Sequence, residues 1–95
     1  MIRKVVFYSG RVQGVGFRYT TANLAKRFEV AGYVQNLDDG RVRLDVQGAR
    51  DQVDGLLVAV AETMARNITA ADATDYPPAP TVGDPNDPDA FGIRH

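Results

Sequence analysis

Two β-type runs, Tyr33 to Leu37 and Arg41 to Gln47, flank Asp38-Asp39-Gly40. An Asp-Gly pair in that setting marks a hairpin, because glycine accepts the positive φ such turns require. Along the second arm Val42, Leu44 and Val46 alternate with Arg41, Arg43, Asp45 and Gln47, which predicts one buried face and one wet face. The hairpin lies between two stretches of helical period, and this juxtaposition restricts the fold more than any other feature. Upstream, Phe17, Thr21, Leu24, Ala25 and Phe28 recur at three- and four-residue steps, predicting a helix from about Phe17 to Ala31 that Gly32 closes. Downstream, Val53, Leu56, Leu57, Val60, Ala61 and Met64 follow the i, i+3, i+4, i+7, i+8, i+11 pattern, with Asp51 and Asp54 near the positive end of the helix dipole.

Each helix has a strand-like neighbour on its outer side. Ile2 to Ser9 carries Val5, Val6, Phe7 and Tyr8 and ends at Gly10, the pattern of a strand well inside a sheet. Ile68 to Tyr76 is diluted by alanine and aspartate and fits an edge strand. From Tyr76 to Ala90, Pro77, Pro78, Pro80, Pro85 and Pro88 enforce a loop or extended connector. Phe91 to Arg94 closes the chain as a last short strand. The expected architecture is α+β, a ferredoxin-like split βαβ (βαββαβ) sandwich whose antiparallel sheet of four to five strands carries both helices on one face. A chain of 95 residues makes one domain, residues 1–95.

Composition removes several chemistries. The formal charge of -1 supplies no basic excess for phosphate neutralisation, so no nucleic-acid partner is expected. There is no cysteine, hence no disulfide, thiolate metal site or cysteinyl-phosphate. The single histidine, His95, is the last residue, so zinc sites, serine triads and phosphohistidine chemistry have nothing to build on unless the terminus is recruited. No metal and no cofactor are expected. No cationic start precedes a long apolar stretch, so neither a secretory signal nor a membrane span is read, and a cytoplasmic monomer is expected. Asn67-Ile68-Thr69 is then a chance sequon. Asp84, Asn86, Asp87 and Asp89 lack the glycine, the terminal glutamate and the flanking helices of a calcium loop, and read as a solvated connector. Tyr8, Phe17, Phe28, Tyr33, Tyr76 and Phe91 are assigned to the core or its rim.

The chemistry concentrates between the first strand and the first helix, in Gly10-Arg11-Val12-Gln13-Gly14-Val15-Gly16-Phe17-Arg18. Glycines at 10, 14 and 16 allow successive N–H groups to converge as a nest for an oxyanion, and the following helix N-terminus favours the same charge. Arg18, in the first turn, adds a planar fork for two phosphoryl oxygens. Arg11 reads as solvent-facing. A dinucleotide fingerprint is excluded because Gly14-Val15-Gly16-Phe17-Arg18-Tyr19 ends in tyrosine, and a nucleotide P-loop because no Lys-Ser/Thr pair follows. On the residues alone a plain glycine-rich connector is as good a reading.

The loop resembles the acylphosphatase signature G-x-V-Q-G-V-x-F-R at every fixed position. Gly32-Tyr33-Val34-Gln35-Asn36 is similar to that family's second signature, G-[WY]-V-x-N. The resemblance is close over residues 2 to 65 and returns at Phe91-Gly92-Ile93; residues 66 to 90 depart from it, with Arg66-Asn67 where the family has a Gly-Pro segment. The resemblance implies hydrolysis of the carboxyl–phosphate bond of small-molecule acyl phosphates, without metal or phosphoenzyme, by water held in line. It implies phosphate binding by Gln13, Gly14, Val15, Gly16, Phe17 and Arg18, with Arg18 and Asn36 catalytic and Asn36 orienting the water. Strand parity places Asn36 on the face of Val34, which the helices cover; on the residues alone an amide bonded to backbone near a turn is the favoured reading. The alternative is a non-catalytic anion-binding or regulatory module on the same scaffold, and a further one is a fragment of a larger carbamoyl-transfer protein.

Overall fold

A computed structural model describes all residues from Met1 to His95. The elements run β1 (Ile2–Gly10), α1 (Phe17–Ala25), β2 (Val30–Asn36), β3 (Val42–Gly48), α2 (Arg50–Thr63), β4 (Ile68–Tyr76), a 3-10 turn at Pro80–Val82 and β5 (Phe91–Arg94). One five-stranded sheet has the order β4-β1-β3-β2-β5. The first four strands are antiparallel, as expected, but β5 joins β2 in parallel, Gly32 opposite Phe91 through Gln35 opposite Arg94. The sheet is therefore mixed: the long connector returns the chain to the end of the sheet where β2 starts, and β5 then runs in the same direction.

The core lies between the sheet and the helices. Val6 and Tyr8 of β1, Val34 of β2, and Val42, Leu44 and Val46 of β3 meet Phe17 and Leu24 of α1 and Val53, Leu56 and Val60 of α2. Leu44 and Leu56 are fully buried, each contributing roughly 2 kcal/mol by loss of apolar area from water. The same burial pushes the Tyr8 phenol above the usual tyrosine range.

Three local expectations change. Helix α1 ends at Ala25, not Ala31: the chain leaves it through i→i+3 bonds, Arg27 N–H to the Leu24 carbonyl (3.0 Å) and Phe28 N–H to that of Ala25 (3.1 Å). The apolar period reaches Phe28 because Phe28 packs on the core from outside the helix. Gly32, expected as a helix cap, lies inside β2 with φ 143°, where an added Cβ would come 1.8 Å from the Asp45 carbonyl oxygen. The hairpin's second face is wet over only half its length: Arg41 and Arg43 are half-exposed, but Asp45 is 1% exposed and Gln47 2%. Arg3 grips Asp45 in a fork, Nε to Oδ1 at 3.0 Å and Nη2 to Oδ2 at 2.8 Å. Gln47 donates from Nε2 to the carbonyls of Ala79 (2.9 Å) and Gly83 (2.7 Å) and accepts from the Ala79 N–H (2.9 Å), so the proline-rich connector is fastened over that face.

Turn chemistry at the hairpin is as expected. Gly40 N–H donates to the Leu37 carbonyl (3.2 Å) and Leu37 N–H to that of Arg41 (2.8 Å), a three-residue loop with Gly40 at φ 93°. The Arg41 backbone N–H, then its Nε, donate to Asp39 and hold that carboxyl below its usual range.

Candidate active site

The loop between β1 and α1 is secured at three points. A register shift at Ser9/Gly10 and the bond from Arg11 N–H to the Asn67 carbonyl (2.8 Å) lift the chain off the sheet. Val12, 1% exposed, plugs into the core. Gln13 donates from Nε2 to the carbonyls of Leu37 (2.7 Å) and Arg41 (3.0 Å), strapping the loop to the β2–β3 turn beside Asn36.

Beyond that strap Gly14 (φ 75°) and Gly16 (φ 77°) are both left-handed, with open space where a Cβ would stand, so the restriction on other residues here is conformational rather than steric crowding. Gly16 is the N-cap of α1, which has no side-chain cap and no acidic residue in its first turn. Phe17, 1% exposed, anchors the helix start against Tyr8, ring centroids 5.1 Å apart. None of the N–H groups from Val12 to Tyr19 donates to a backbone acceptor. A cavity of about 110 Å³ opens here, lined by Val12, Gly14, Gly16, Phe17, Arg18, Tyr19 and Asn36.

Asn36, at the end of β2, has its Oδ1 buried with no hydrogen-bond partner in the protein. A buried amide oxygen without a partner costs about 1–3 kcal/mol, which is a reason to look for a ligand or water as its donor. Arg18, half-buried, places Nη1 3.3 Å from Nδ1 of His95. Arg11 is exposed, as expected.

Of the residues expected at the site, Gly14, Gly16, Phe17, Arg18 and Asn36 come together around the cavity. Gln13 and Val15 are not among its lining residues: the Gln13 side chain is the strap, and Val15 is 39% exposed. Sequence reasoning missed Val12, Tyr19 and His95. The signal for His95 was strand parity, since Phe91 and Ile93 pack against the core and the next residue of the same parity is 95. A larger groove of about 440 Å³ beside Met1, Gln47 and Pro78–Pro85 has only Asp84 as a side-chain charge and holds no convergent donors of this kind.

The acylphosphatase family model matches residues 4–85. The chain belongs to the acylphosphatase family. The match continues through β4 and into the connector, beyond the close resemblance over residues 2 to 65 noted above. An acylphosphatase of Trichormus variabilis is 51% identical over 57 residues, 60% of this chain and 56% of that protein. One of Bordetella avium is 43% identical over 70 residues, 74% of this chain and 70% of that protein. The chain thus aligns with little more than half the length of several curated relatives. The crystal structure of a Bacillus subtilis acylphosphatase superposes with TM-score 0.82 at 28% identity, covering all of both chains. At 23% identity and TM-score 0.80, T. kodakarensis HypF shares the fold over 12% of its own chain.

Proposed function

We propose that this acylphosphatase-family chain hydrolyses acyl phosphates to a carboxylate and inorganic phosphate, with Arg18 and Asn36 as its catalytic residues. The phosphoryl group sits in the cradle of amides from Gln13 to Phe17, and the Arg18 guanidinium supplies the balancing charge. A mixed anhydride already carries a good leaving group, so the protein has to hold the phosphoryl, spread its charge and place one water in line. Asn36 does the last: its Oδ1 accepts from the water and its Nδ2 is free to donate, the water attacks phosphorus, and the bond from phosphorus to the acyl oxygen breaks as the carboxylate leaves. None of the cavity-lining residues carries a carboxylate, imidazole or thiol, and the water's proton passes to a phosphoryl oxygen. The chain is read as a cytoplasmic monomer acting on small molecules; no helix of the structure is long and apolar enough to cross a membrane.

The observation that carries this reading is the orphaned Oδ1 of Asn36, a residue that lines the same cavity as Arg18 and the two left-handed glycines. A passive anion-binding module has no use for a buried acceptor beside its seat. The test is phosphate release from acetyl, carbamoyl and benzoyl phosphate in excess chelator, comparing the natural chain with Asn36→Ala. Turnover is expected to fall about 10²-fold, the scale of losing one positioned polar group, while inorganic phosphate still binds. Equal rates for the two proteins remove Asn36 from the mechanism, and phosphate binding without turnover by the natural chain leaves the binding module.

A further inference from the structure

His95, the residue after β5, reaches Arg18 from outside the cavity lining. β5 runs parallel to β2 with Arg94 opposite Gln35, so the next residue on each strand, His95 and Asn36, lies at the same end of the sheet. Parity sets the direction of the side chain: Phe91 and Ile93 pack on the core, and Arg94 lies on the opposite face, its guanidinium 3.6 Å from the Tyr33 ring centroid. His95, one position on, returns to the helix side, with Nδ1 3.3 Å from Nη1 of Arg18. Arginine has five N–H donors and no acceptor. In a hydrogen bond between the two side chains Nδ1 is therefore the acceptor.

We propose that His95 is a positioning residue for Arg18: its Nδ1 accepts from one Nη1–H and holds the guanidinium at the mouth of the phosphate cradle. The inference rests on the reading of the cradle as a phosphoryl seat and adds to it the group that orders its one cation. A guanidinium on a flexible stem loses rotamer freedom when it grips an anion, and a neighbour that restrains it beforehand lowers that cost. Nη2 and Nε remain free for the phosphoryl oxygens. Arg18 grips the phosphoryl group in substrate and transition state alike, so loss of restraint raises KM more than it lowers kcat.

The test measures the Kd of inorganic phosphate and the acetyl phosphate kinetics for the natural chain, His95→Ala and His95→Gln. His95 is exposed at the chain end, and its replacement leaves the core intact. For His95→Ala a three- to tenfold rise in both Kd and KM is expected, roughly the effect of freeing one rotamer-rich side chain, with kcat changed less than twofold. His95→Gln, whose Oε1 accepts the same donor, recovers most of the loss. In the Arg18→Lys background the alanine change at 95 has no further effect on phosphate binding. Unchanged or tighter phosphate binding by His95→Ala overturns the positioning role while leaving the cradle in place. Failure of the natural chain to bind phosphate at all removes the cradle reading and this inference with it; binding without turnover removes only the hydrolytic reading.

Discussion

Arg18 and Asn36 divide the work of the proposed site between charge and orientation. The Arg18 fork is planar and carries more donors than an ammonium, so Arg18→Lys keeps the charge and loses the geometry. We expect kcat/KM for benzoyl phosphate to fall by at least about tenfold, the scale of one good charge-assisted bond; steady-state kinetics at saturating and limiting substrate will show it. A lysine variant with natural kinetics means that a point charge suffices and that the fork plays no part. The two residues were legible for different reasons. Arg18 follows three glycines at a strand-to-helix junction, a combination with a direct physical reading, whereas the role of Asn36 came from the family signature and only the orphaned Oδ1 supplies a structural reason for it. Gln13 shows a part that the signature did not disclose: its N–H is the group expected at the phosphate, while its side chain ties the loop to the Leu37 and Arg41 carbonyls.

Among the elements, the β2–β3 pair sets the position of Asn36, and it depends on a close approach at Gly32. The neighbouring strand passes so near that a Cβ would overlap the Asp45 carbonyl. Backbone, unlike the end of a side chain, cannot step aside, and φ 143° is itself strained for any residue with a Cβ. Gly32→Ala is expected to cost more than about 2 kcal/mol in urea unfolding. A loss below about 0.5 kcal/mol, the scale of an ordinary surface change, refutes the close packing. The strand at the other edge is held differently. β4 is exposed along nearly its whole length, and Asp72 and Asp75 place charge on it, which protects an open edge from pairing with other chains.

Across the whole molecule, stabilising contacts and proposed chemistry lie at opposite ends of the sheet. Gln47 is opposite Ala31, while Asn36 is opposite Val42, and five residues of strand separate the two by roughly 16 Å. Gln47 alone fastens the connector at Ala79 and Gly83. Gln47→Leu keeps the volume and strands two backbone groups, the Ala79 N–H and the Gly83 carbonyl, while the Ala79 carbonyl keeps its bond from Val82 N–H, so a loss of about 1–3 kcal/mol is expected, with faster amide exchange in residues 79–83 and acyl phosphate kinetics within twofold of the natural chain. Exchange unchanged in that segment means the connector is held by something other than Gln47.

The sequence by itself determined the order of elements, because apolar period is a local property: 3.6 over Val53–Met64, 2 along Val42–Val46, and the turn at Asp38-Asp39-Gly40 between them. It also gathered the residues of the proposed anion seat, since the glycines and the neighbouring arginine lie within one loop. Only the tertiary structure decided the rest. Phe28 continues the helical period from outside the helix, alternation along β3 did not reveal that Arg3 and the connector cover Asp45 and Gln47, and nothing local indicates that β5 pairs in parallel with a strand some sixty residues earlier. That pairing brings His95 to Arg18. Contacts between residues distant along the chain depend on which surfaces meet after folding, and such information is spread over both partners rather than written in either.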